Sequence, residues 1–147
     1  MCIRDRFEIV AAGSSKAARS FSQWQADNSI TETHSFDSDQ NGVSNLEEYA
    51  AGTNPKSASD RPSYLYEQPI SGQDFTLELE LCARARIDLD LETSSDLSDS
   101  ESWAVVIPEI LSIQNNSAGA RPTQTVRMRL PSNSEGKQFW RIVFKEK

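Results

Sequence analysis

Residues 37–48 read Asp-Ser-Asp-Gln-Asn-Gly-Val-Ser-Asn-Leu-Glu-Glu, and their oxygen-bearing side chains have the spacing of a loop that wraps a hard cation. Calcium takes six to eight oxygens at about 2.3–2.6 Å, and a loop of about twelve residues supplies them at alternate positions. Asp37, Asp39 and Asn41 fall at positions one, three and five. Gly42 falls at six, where the backbone must turn sharply, and Val43 offers its carbonyl from seven. Asn45 and Glu48 fall at nine and twelve, and Glu48 stands where a carboxylate closes such a loop with both oxygens. The expected ligand set for Ca2+ is therefore Asp37, Asp39, Asn41, Val43, Asn45 and Glu48. Asp, Asn, Ser and Gly also make surface turns that bind nothing. Such a turn has no need of acids at one, three and twelve together with Gly at six. Three carboxylates, with an amide at five, point to modest affinity, roughly 0.1–1 mM.

Other chemistries find less support in the residues. Glu78, Glu80, Asp88, Asp90 and Glu92 could supply a glycosidase pair, but charges alternating along a strand are the mark of a solvated face, with Arg127 and Arg129 available for cross-strand pairing. His34, the one histidine, adjoins the acidic loop; calcium prefers oxygen, so it is expected at the surface. Cys82 ends a strand without a neighbouring base to activate it. A phosphate-cradling Gly-rich loop, zinc spacing and a nucleophile elbow are all missing. Tyr64, Tyr66, Trp103 and Trp140 could form platforms that stack on sugars, the pattern of a carbohydrate-binding module, but Trp103 and Trp140 alternate in the pattern expected of core packing.

The run Asp-x-Asp-x-Asn-Gly-x-Ser-Asn-x-Glu-Glu-Tyr-x-x-Gly-Thr-Asn-Pro, residues 37–55, resembles the thrombospondin type-three and single EF-hand-like calcium-binding motifs in secreted proteins of environmental bacteria. There the motif often precedes a small C-terminal β domain. Ser94-Ser95-Asp96-Leu97 followed by Trp103, and the closing Phe139-Trp140-Arg141-Ile142-Val143-Phe144, are similar to that domain's signatures. The resemblance covers roughly residues 20–147 and implies a secreted or cell-surface location, with upstream domains of the same polypeptide as neighbours. It implies a non-catalytic accessory or attachment module, for which cell-surface polysaccharide is a candidate partner. Two departures stand out: Asn41 replaces the usual Asp, and a single loop is present.

The elements that must hold this loop follow from periodicity. The chain has 147 residues, 37% hydrophobic and 25% charged, which suits one modest core. A net charge of −7 disfavours nucleic acid and anionic membrane surfaces and suits a cation. No stretch is long and apolar enough for a transmembrane segment. Residues 1–6 resemble a translated sequencing adapter, so Cys2 is discounted and no disulfide within the chain is expected. Residues 7–10 read as the tail of an earlier strand and 11–19 as a linker, which makes 1–19 an artefactual start plus linker. Phe21 and Trp24 share a helical face behind Ser20 or Ser22 as cap, and a second helix is expected over 45–51, ended by Gly52 and Pro55. Residues 20–60 thus make an EF-hand-like helix-loop-helix. After a polar hinge at 56–62 the period changes to two. Strands are expected at 64–67, 75–81, 87–91, 103–107, 110–114, 125–130 and 138–145, with 75–81 and 87–91 joined as a hairpin and the last strand central. The expected fold is mainly β, an antiparallel β-sandwich over 61–147 preceded by the small calcium-binding hand.

Overall fold

The computed structural model describes residues 18–67, 75–116, 121–131 and 138–147. The expectations for residues 1–17, the adapter-like start and most of the linker, lie outside the described residues.

Two short helices carry the loop. Helix α1, Phe21–Asn28, opens with a reciprocal cap: the Ser20 hydroxyl accepts the Gln23 amide at 3.2 Å while the Gln23 side chain accepts the Ser20 amide at 2.9 Å. It buries Phe21 and Trp24, as their spacing requires. Helix α2, Asn45–Ala51, repeats the device with Ser44 and Glu47, and its acidic first turn favours the positive end of the helix dipole. Gly52 ends it at φ +78, a conformation costly for any residue with a Cβ; a methyl there would also meet the Cys82 Cβ at 3.0 Å. Packing under this helix end is the observed role of Cys82.

Seven strands are described: β1 Tyr64–Glu67, β2 Thr76–Cys82, β3 Ile87–Ser94, β4 Ala104–Val106, β5 Glu109–Asn116, β6 Thr123–Arg129 and β7 Phe139–Glu146. They form two antiparallel sheets, ordered β1-β2-β6-β5 and β4-β3-β7. The alternating leucines point inward as period two demands. Leu77 and Leu79 stand opposite Met128 and Val126 in one sheet, and Leu89 and Leu91 stand opposite Phe144 and Ile142 in the other. Both rows join Phe21, Trp24 and Tyr49 in one hydrophobic cluster, so the arrangement is sandwich-like and the helices share its core. No helix among the described residues is long and apolar enough to cross a membrane.

Two strand expectations are corrected. β2 and β3 are not a hairpin, because they lie in different sheets. The Cys82–Arg86 region is a corner, closed by the Ala85 amide on the Cys82 carbonyl and by a parallel bridge between Arg19 and Ala85. Periodicity shows which face of each strand is apolar, not which strand lies beside it, and here the two leucine faces meet across the core. β7 is an edge strand rather than a central one. Its second apolar face reflects partial cover, since α2 packs against it and Trp140, Ile142 and Val143 are only half-buried.

The outer faces carry ion pairs, though Arg127 and Arg129 take acids other than those considered in the sequence. Arg141 meets Glu92 at 2.6 Å, Arg129 meets Glu109 at 2.6 Å, Lys145 pairs with Asp90, and Arg127 reaches Glu67 at 2.5 Å although Glu78 is its register partner. Such exposed pairs contribute little each, about 0–1 kcal/mol. Of the strand acids considered for catalysis, Asp88, Asp90 and Glu92 are engaged in this way.

One buried side chain fastens helices to sheets. The Tyr49 hydroxyl donates to the Arg19 carbonyl at 2.5 Å and accepts the Arg86 amide at 2.6 Å, and burial raises its pKa. Tyr49→Phe leaves both backbone groups without that partner, so a loss of about 2 kcal/mol is expected in denaturant unfolding. A change under 0.5 kcal/mol, about the size of an ordinary surface substitution, would contradict this role.

Candidate metal centre

The loop between Asp37 and Glu48 is wound by its own side chains. Asp37 accepts the Asn41 amide through one oxygen at 3.1 Å and the Gly42 amide through the other at 2.7 Å. Asp39 accepts the Asn41 amide at 3.2 Å and the Asn41 side-chain amide at 3.3 Å. The Asn41 side-chain oxygen, Oδ1, accepts the Val43 amide at 2.8 Å. This winding needs a left-handed Gln40, φ 60, and a left-handed Gly42, φ 87. A Cβ on Gly42 would meet nothing within 4 Å, so conformation alone, not space, asks for glycine there.

Electrostatics separates the acids. Asp37 is partly desolvated, which works against its charge, but the amides of Gly42, Asn41 and Gln40 outweigh that and hold its carboxyl below the usual range. Glu48 is the reverse. It sits at 0% exposure at the start of α2, and burial, followed by the charge of Asp39 beside it, pushes its pKa up to about 7. Asn41 and Thr53 stand close enough to ease that burden, yet neither completes a hydrogen bond to it. Both Glu48 carboxylate oxygens, and the Thr53 hydroxyl, are buried without a hydrogen-bond partner.

Of the expected ligands, Asp37, Asp39 and Asn41 are half-buried in the loop, and Val43, Asn45 and Glu48 are buried. Asp37 and Asp39 accept hydrogen bonds from the loop's amides. No three His, Cys, Asp or Glu side chains among the described residues are drawn together as a metal cluster. The donor set nonetheless consists of carboxylate and amide oxygens, the chemistry of a calcium rather than a zinc site. Helix α1 ends at Asn28, so residues 29–36 separate it from the loop, a looser entry than the expected helix-loop-helix. His34, expected simply at the surface, is half-buried: its ring stacks on Phe21 at 4.1 Å and its Nε2 lies 2.7 Å from Glu146 Oε2. It thereby ties the approach to the loop to β7.

The sequence reading did not single out Tyr49 or Thr53. A usable signal was present: Leu46, Tyr49 and Ala50 recur at helical spacing, which turns Tyr49 toward the core while its neighbour Glu48 faces elsewhere. Comparison of the chain with protein-family models, with curated proteins and with solved structures gives no match.

Proposed function

We propose that residues 37–48 bind one calcium ion, and that the chain is a non-catalytic, calcium-stabilised accessory module of a larger secreted or cell-surface protein. The observation that supports this reading is Glu48. A fully buried carboxylate with both oxygens unpartnered, beside two further aspartates, is costly in any fold unless a cation compensates it. Calcium would supply that compensating charge. Asp37, Asp39, Asn41, the Val43 carbonyl and Glu48 supply hard oxygens, and α2 carries Glu48 and Tyr49 as neighbours, so closure of the loop is mechanically linked to the Arg19 and Arg86 backbone. The secreted or surface location and the upstream domains rest on the motif resemblance. The carbohydrate-binding alternative has an exposed Tyr64 on its side; of the tryptophans, Trp103 has Arg141 4.2 Å over its ring, covering one stacking face, and Trp140 is half-buried.

Thermal melts in excess chelator and in millimolar calcium test the reading. At ten times the dissociation constant the wild type should gain about 1.4 kcal/mol, and at a hundred times about 2.7 kcal/mol. Asp37→Ala should lose the gain. Glu47→Gln should keep it, because Glu47 reaches back to the Ser44 amide at 3.0 Å, a bond an amide oxygen can replace. Equal wild-type melting with and without calcium would overturn the proposal.

A further inference from the structure

Among the expected ligands Asn45 stands apart, because its side chain reaches outside the loop: Asp37, Asp39 and Asn41 bond groups within residues 37–43, whereas Asn45 also bonds Thr33. It is 0% exposed, its Nδ2 donates to the Thr33 carbonyl at 3.1 Å, and its Oδ1 accepts the Ser38 hydroxyl at 2.9 Å. Its backbone amide donates to the Phe36 carbonyl at 2.7 Å, and the next amide, Leu46, donates to the His34 carbonyl at 3.0 Å. Four hydrogen bonds therefore join residues 33–38, where the chain enters the loop, to the first turn of α2, where it leaves. Resting on the calcium reading above, we infer that Asn45 is a positioning residue and not a ligand: it pins the neck of the loop shut so that Asp37 and Glu48 face the same ion before the ion arrives.

The physical consequence is preorganisation. A loop closed in advance loses less conformational freedom on binding, so the pin contributes to affinity through the cost it removes. Ser38 shares this role. It lies at loop position two and its hydroxyl is spent on Asn45.

Two variants, Asn45→Asp and Ser38→Ala, separate a pin from a ligand by calorimetric calcium titration of the full chain, with melting of the metal-free protein alongside. A ligand at position nine gains a negative charge in Asn45→Asp and should bind calcium more tightly. A pin loses its donor to Thr33 and should bind roughly tenfold more weakly, with a lower metal-free melting temperature. Ser38→Ala should weaken binding roughly fivefold. Tighter binding by Asn45→Asp would overturn the pin, and so would melting shifts equal with and without calcium at an unchanged dissociation constant. Those results leave the calcium site itself standing; a wild type that shows no saturable calcium binding overturns both.

Discussion

At pH 8 without metal, Glu48→Gln is expected to melt higher than the wild type and to ignore calcium. Loss of a ligand alone would give the second result but not the first. The first follows from burial: the wild-type carboxylate is charged at that pH, lies at 0% exposure and has no hydrogen-bond partner, while Asp39 and Asp37 repel it. Replacing it by a neutral amide of nearly the same size removes this cost, and a gain of about 2 kcal/mol is expected. In saturating calcium the order reverses, since the wild type recovers its compensating ion and the variant cannot. Unfolding of both proteins by denaturant, in chelator and in calcium, gives the comparison. A metal-free Glu48→Gln that is clearly less stable than the wild type would show that the buried acid is held by partners other than an ion.

The same group sets the pH dependence. A carboxyl with an ordinary value of 4.5 in the unfolded chain and about 7 in the metal-free fold makes the native state the better proton binder between those limits. Stability from Glu48 is thus complete below about 4.5, falls as pH rises to about 7, and is level above it. A displacement of that size corresponds to about 3 kcal/mol. Asp37, whose value is lowered, acts in the opposite sense and in a different window: it stabilises above its unfolded value of 3.8 and loses that contribution as pH falls further. Metal-free stability should therefore peak near pH 4–5 and decline toward neutrality, and saturating calcium should remove the decline. Melting temperatures from pH 4 to pH 8, with chelator and with calcium, test this. A metal-free curve that rises steadily to pH 7 would exclude a buried, uncompensated Glu48.

The parts of the chain whose geometry is local were legible in its sequence. Ser20, one of the two caps expected, closes α1, and Gly42 and Gly52 take left-handed conformations at the turns that demand them; Ser44 caps α2 by the same three-residue spacing to Glu47, a cap the spacing offered but the expectation did not name. The turn at Gly42 is likewise local, and there the Gly42 amide donates to Asp37. What the sequence left open depends on distant partners. The leucines of β2 and β3 declare an inward face, but the alternation is the same whether the strands pair or oppose each other. The burial of Glu48 depends on how α2 settles against β2 and β7, a relation no spacing within 37–48 encodes. Asn45 has the residue type of a ligand; only the closeness of Thr33 and Ser38 shows that its side chain is engaged.

The central claim, that Glu48 closes a calcium site, is tested most directly by calorimetric titration of the wild-type chain with calcium in two buffers of different ionisation enthalpy, at several pH values. A carboxyl with a pKa of about 7 is roughly half protonated at neutral pH and must lose its proton to ligate. One ion per chain is therefore expected, with about half a proton released near pH 7 and an affinity that rises from pH 6 to pH 8. Binding that is absent, or that proceeds with no proton release and no change of affinity across this range, would contradict the account.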